Sequence, residues 1–400
     1  MEYKQVHGKG EEPREDITDA VRRAKPMSVV SDKFFNQPVV KVEGELLIFN
    51  KKLFPKSPFK EDKIAKELSL FVDWSGKNVK MDLLGLYEHG RTLSFNVRFS
   101  DVYGNVYNYV NIKGGGIPKK SKEGFVHNNT LKKHGGQVMG LVGSIDSAED
   151  WDASNLFIEN GIKTSAPIAI IEIKEFITKD GERLSTEELR KQGILKNEDE
   201  SHEFTPVIYL RAFSEVMRVG DARKEDVEKF AKEHGMASDE YVAWWTKKVA
   251  KNVAKIHDLG KAHRNLIGHN ITVDGCIVDN DTVTNVGKSA RISPEKYAID
   301  VGNILFDDYS LLTLFVDVLD PFARRDSTST LTEFRENFLR EYVESRSNME
   351  KDEFQVLHSK LAYALKKAED LPGNSPDQSR RCLKVVEEAF EKKFGERLEG

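Results

Sequence analysis

Asn270 and Asp279 stand nine residues apart in "HNITVDGCIVD", with Asp274-Gly275 between them as a turn signal. A hairpin closed at that turn sets an amide oxygen and a carboxylate side by side. Mg²⁺ is commonly held by one or two protein oxygens plus phosphate oxygens, so the pair could carry a metal–phosphate complex. Ile271, Val273, Ile277 and Val278 alternate with these residues and would bury the hairpin and stiffen it. The same residues also suit a buried turn with capping Asn and Asp. His269 precedes Asn270 and would face the same site. An imidazole titrates near neutrality, which suits a general base, and a packed turn histidine is the alternative.

Three cations complete the set. Arg211 and Arg218 sit seven residues apart in "RAFSEVMR", and guanidinium groups offer the fixed fork that phosphate accepts. Lys113 ends a strand-like run and is followed by Gly114-Gly115-Gly116, where backbone N–H groups can approach an anion. Each of the three could equally be a surface cation. An acid to pair with the lysine is expected on the helical stretch "SAEDWDASNLFIENG", where Glu149, Asp150, Asp152 and Glu159 all qualify. The segment "GLYEHG", Gly85 to Gly90, does not match the spacing of a glycine-rich phosphate loop and reads as a plain hairpin.

The elements that must position these groups follow from periodicity. Residues 39–54 read as a hairpin about Glu43-Gly44, and "KEDKIAKELSLFVD" as a helix. Residues 80–113 form a three-stranded meander. A Gly/Lys loop follows, then the acidic helix with Gly161 as its cap, a strand over 167–177, a charged insertion over 178–204 and a strand in "TPVIYLRAFS". Helices are expected over 223–234 and about 239–258, the latter burying Trp244, Val249, Val253 and Ile256, and several more run from 297 onward. Strands first and helices after, joined by a hinge near 210–220, is the layout of a protein-kinase-like α+β fold. Its parts are an extension over 1–80 packed on the N-lobe, an N-lobe over 81–212 and a helical C-lobe over 213–400.

"HRNLIGHN" then aligns with the kinase H-R-D-L-x-x-x-N loop, with Asn265 at the position of the catalytic Asp. Asp300 in "AIDVGNILFDD" corresponds to the helix Asp that holds that loop's backbone.

Longer segments resemble the selenoprotein O family of kinase-like protein adenylyltransferases. "YVNIKGGGIPKKSKEG" resembles its K-G-x-G segment. "EDWDASNLFIENGIKTSAPIAII" is similar to its helix and following strand. "VIYLRAFSEVMRVG" keeps both family arginines, and "GHNITVDGCIVDND" has the family's Asn-to-Asp spacing. The likeness spans roughly 110–285, with weaker echoes over 45–72. It implies ATP bound in an inverted orientation, with AMP passed to a protein hydroxyl. Lys113 would contact phosphate and pair with Asp150, and Arg211 and Arg218 would bind phosphates. Asn270 and Asp279 would ligate Mg²⁺, or Mn²⁺. The sequence departs from the family at His269, an Asp there, and at Asp279-Asn280-Asp281, where the family has D-Y-G. A phosphotransferase and a nucleotide-binding pseudokinase remain the other readings.

The bulk properties leave room for this. The formal net charge of −5 gives no electrostatic case for a nucleic-acid partner. Two cysteines, Cys276 and Cys382, cannot form a disulfide scaffold, and no long apolar run suggests a membrane span. A cytoplasmic protein with ATP and a protein substrate as partners is expected.

Overall fold

The computed structural model describes residues 34–56, 58–78, 81–87, 89–134, 137–195, 204–286, 328–370 and 376–398. Asp300 lies outside them.

The first part of the chain builds one large antiparallel sheet. It opens with β1 (Phe34–Lys41), β2 (Gly44–Phe49), helix α1 (Glu61–Leu68) and β3 (Leu70–Val72). The meander follows as β4 (Met81–Leu86), β5 (His89–Ser100) and β6 (Val106–Lys113). After helix α2 (Lys122–His127) come a small hairpin, β7 (Lys132–His134) and β8 (Gln137–Met139), and a short strand β9 (Val142–Gly143). Helix α3 (Ser144–Glu159) leads into β10 (Ala166–Ile173). β11 (Glu175–Ile177) and β12 (Arg183–Ser185) pair beside helix α4 (Thr186–Lys191), and β13 (Pro206–Phe213) closes the set.

The strand order is β2-β10-β13-β6-β5-β4-β1-β3, with β9 on β13. The hairpin expected about Glu43-Gly44 does not form, because β1 pairs with β3 and β4 while β2 pairs with β10. Only Val42 and Glu43 separate two strands that lie six places apart in the order. A flat sheet would put them about 29 Å apart, whereas three peptide units reach about 11 Å. The sheet must therefore curl until its ends approach. Val42 N–H donating to Ser69 O at 2.9 Å and Lys174 N–H to Glu43 O at 3.0 Å fasten that closure. Leu93, Phe95, Val110, Ile112, Ile168, Ile171, Ile208 and Leu210 fill the interior. Residues 34–72, expected as an extension, thus supply three strands of this sheet. The helix expected over the "LFVD" end of its segment stops at Leu68, since Leu70–Val72, buried throughout, is a strand.

The second part is helical: α5 (Lys224–Glu233), α6 (Ser238–Asp258), α7 (Thr328–Ser345), α8 (Lys351–Asp370) and α9 (Pro376–Phe394). Val249, Val253 and Ile256 of α6 are fully buried as expected. Their aromatic neighbour is Trp245 at 1% exposure rather than Trp244, because 245, 249, 253 and 256 share one helical stripe and 244 lies off it. Trp245 donates to Thr272 O at 3.1 Å and Tyr241 Oη to Val273 O at 2.6 Å, so α6 carries the 271–278 turn. Gly275 closes that turn at φ 74° and Gly161 ends α3 at φ 65°, both left-handed positions that suit glycine. The architecture is α+β, with the curled antiparallel sheet first and the helices after it, and β13 leads from one to the other. No helix among the described residues is long and apolar enough to cross a membrane.

Candidate functional site

The register of β6 against β13 sets the floor of the site. Lys113 lies opposite Tyr209 and Asn111 opposite Arg211, so these four side chains share one face. Arg211 is fully buried there, with its Cζ 5.6 Å from the Tyr209 ring and 5.2 Å from the Phe213 ring. Its Nη2 donates to Asn111 Oδ1 at 3.0 Å. Its Nη1 donates to Asp279 Oδ1 at 2.6 Å and lies 3.4 Å from Asp150 Oδ2. Lys113 Nζ reaches the same Asp279 Oδ1 at 3.0 Å and stands 3.9 Å from Asp281 Oδ2.

Sequence and structure differ on the ion pairs. Asp150 was expected to pair with Lys113, but its carboxylate faces Arg211, the Ser154 hydroxyl and the Asn280 backbone N–H. Lys113 instead takes the acids of the loop that follows the turn. An Asp on α3 is one methylene shorter than a Glu, and Arg211, on the adjacent strand, is the cation it meets.

Arg218 follows β13 with its Cζ 5.0 Å from the centre of the Phe213 ring, and it is 4% exposed. Its Nε and Nη1 are buried without a hydrogen-bond partner. Burial lowers its pKa below the ordinary guanidinium value, and the Asp279 charge only partly opposes that. For Arg211 burial also works against the charge, yet Asp279 and Asp150 outweigh it and raise the pKa. Burial works against the Asp279 carboxylate too, but Lys113, Arg211 and Arg218 hold it well below the usual carboxylate range. Three cations thus converge on one carboxylate.

Asn270 is buried, and its amide N–H donates to Asn265 O at 2.8 Å, which leaves its side-chain oxygen to accept. Val278 N–H donates to Asn270 O at 2.9 Å and keeps Asn270 beside the strand that ends at Asp279. His269 is half exposed, and its Nδ1 lies 2.9 Å from Oδ1 of the buried Asp221. His263 is buried with Nε2 3.1 Å from Val278 O, a bracing contact within the loop. All seven predicted side chains therefore belong to one region, knit by Asp279 and the 263–281 loop. Sequence reasoning missed Asn111, Asp221 and Asn280. Asn111 was accessible through the period-2 relation to Lys113, while the other two had no local signal.

No protein-family model matches the sequence, and no curated protein matches it. Solved structures that are similar include the Toxoplasma gondii specific rhoptry antigen kinase domain, 11% identical, covering 73% of this chain and 86% of that one at a TM-score of 0.34. Another is ROP2 from Toxoplasma gondii, described as a virulence factor with a protein-kinase fold and no enzymatic activity. It is 9% identical and covers 78% of this chain and 82% of that one at a TM-score of 0.31.

Beside Asn265 and Asp281 a cleft of about 740 Å³ opens, walled by Glu149 and Asp152 of α3 and by Arg264 and Thr282. At the hinge, Glu215 accepts from Val216 and Met217 N–H at 2.8 and 3.0 Å. Burial nevertheless raises its carboxyl from 4.5 to about 7, with Asp274 and Glu233 adding to the rise. A raised carboxyl pKa contributes stability that is complete below the unfolded value and is lost as pH rises through the folded one. Melting temperature is therefore expected to decline between about pH 5 and 8, with a component absent in Glu215→Gln. Identical pH slopes for the two proteins in thermal melts would refute this.

Proposed function

We propose that this chain binds ATP with Mg²⁺ and transfers AMP to a protein hydroxyl. The observation that carries the reading is Arg218, a buried guanidinium with two unpartnered donors beside a carboxylate that already serves Lys113 and Arg211. A buried charge with open donors is costly unless an anion completes it. Arg211 on β13 and Arg218 just after it are buried at the hinge. Phosphates drawn to them point away from the β4–β5 hairpin, whose Gly90 is packed against Glu123. That orientation favours exposure of the α-phosphate to an acceptor in the cleft by Asn265.

The residues present fit a metal that arrives with the nucleotide. Asn270 keeps its amide oxygen free of the Asn265 contact, and Lys113 and Arg211 both occupy Oδ1 of Asp279. Among the described residues no three His, Cys, Asp or Glu side chains cluster to hold a resident ion. When bound, Mg²⁺ would neutralise phosphate charge. The acceptor oxygen would form a bond to the α-phosphorus as the bond to the β-phosphate oxygen breaks and pyrophosphate leaves. His269, oriented by Asp221, would take the hydroxyl proton.

Incubation with ATP labelled at the α or the γ position separates the readings. Protein-bound label from the α position alone is expected. Label from γ alone would sink AMP transfer in favour of a phosphotransferase. The saturation of Asp279 by two cations favours one further reading, a pseudokinase, which would bind ATP in a thermal-shift assay and retain neither label.

A further inference from the structure

Asn280, directly after Asp279, is 1% exposed and bonded to three groups of the N-lobe. Its backbone N–H donates to Asp150 Oδ1 at 3.0 Å. Its side-chain amide donates to Ser154 Oγ at 2.8 Å and to Thr164 Oγ1 at 2.8 Å. Ser154 in turn donates to Asp150 Oδ1 at 3.0 Å, so the relay is satisfied in direction. Asp150 and Ser154 are one helical turn apart and present one face of α3 to the loop. Thr164 adds the chain that follows the helix, and it forms a parallel bridge with Ile277. The amide oxygen of Asn280 is buried without a partner. A space-filling residue would not retain such a group.

Asp279 itself has φ 58° and ψ 59°, a left-handed conformation that Asp adopts more readily than most residues but still at a cost relative to glycine. The residue next to it is tied at three points.

We propose that Asn280 is a positioning residue that fastens the Asp279 loop to helix α3, so that the site is assembled with or without nucleotide. Swinging α3 away from the site would break together the two buried hydrogen bonds that Asn280 makes to Asp150 and Ser154. The role of Asp150 follows from the same contacts: it holds Asn280 and Arg211 in place rather than the lysine. The link between this lock and metal binding rests on the proposed nucleotide reading, while the lock itself does not.

Two measurements test it. Hydrogen–deuterium exchange over residues 150–157 and 278–284 should accelerate about tenfold or more in Asn280→Ala, as expected for loss of buried hydrogen bonds. Thr164→Val should give a smaller acceleration, and Thr164→Ser, which keeps the hydroxyl, should match the unaltered protein. A folded Asn280→Ala protein with unchanged exchange overturns the proposal. If that variant does not fold, equal exchange in Thr164→Val and Thr164→Ser overturns it instead. In calorimetry, Asn280→Ala should lose the gain in ATP affinity that Mg²⁺ provides while its affinity in EDTA stays within about twofold. Retention of the full gain would show that Asn280 does not position Asp279. If the unaltered protein binds no ATP, the nucleotide reading falls and the exchange experiment still decides the lock.

Discussion

Asp279→Ala is expected to reduce AMP transfer more than about a thousandfold and to yield a less stable protein that polyanions rescue. Lys113 and Arg211 both spend their contacts on Asp279 Oδ1, and Arg218 feels the same charge. Removing the carboxylate leaves Lys113 with Asp281 at 3.9 Å, Arg211 with Asp150 at 3.4 Å and Arg218 less compensated. Breaking a fully buried pair from one side costs ~3–5 kcal/mol. Asp279 is 28% exposed, so water screens part of the effect and about 2 kcal/mol is a fair expectation. Sulfate or pyrophosphate should restore the melting temperature, and ATP binding in EDTA should not weaken. His269→Ala should cost less activity, about 10²-fold, because it removes a base and leaves the phosphate clamp intact. An Asp279→Ala enzyme with a tenth of normal turnover would remove Asp279 from the proposed metal site, as would a larger loss in His269→Ala.

Arg218→Met should separate function from stability. Methionine fills similar space and carries no donors, so the ligand-free protein loses a desolvated charge and no hydrogen bonds from Nε or Nη1. Its melting temperature should stay level or rise. ATP affinity should fall about 100-fold, some 2.7 kcal/mol, the worth of charge-assisted bonds to phosphate. Arg218→Lys should not restore it, since an ammonium lacks the planar fork. Arg211→Met makes the contrast, because Arg211 already binds Asn111, Asp150 and Asp279 and its loss should destabilise the protein. Melting curves and calorimetric titration measure both quantities. Arg218→Met with a melting temperature several degrees lower and unchanged ATP affinity would make Arg218 a structural residue.

The sequence by itself determined what local periodicity and spacing encode. The Asn270–Asp279 interval forced a turn at Gly275, and the run ending at Lys113 placed a cation at a strand end. The stripe on α6 marked Val249, Val253 and Ile256 as core. Tertiary structure decided which groups meet. Whether Asp150 pairs with Lys113 or Arg211, 37 and 61 residues away, depends on where α3 lies over β6 and β13, a relation that no local pattern records. The fate of the Glu43-Gly44 turn was decided in the same way. Its two strands are good strands, but closure of the curled sheet gives each a better partner elsewhere. Asn280 is the clearest case: in the sequence it is a polar residue between two aspartates, and only burial against Asp150, Ser154 and Thr164 makes it a fastening. Periodicity tells a residue which way to face, and packing selects its partner there.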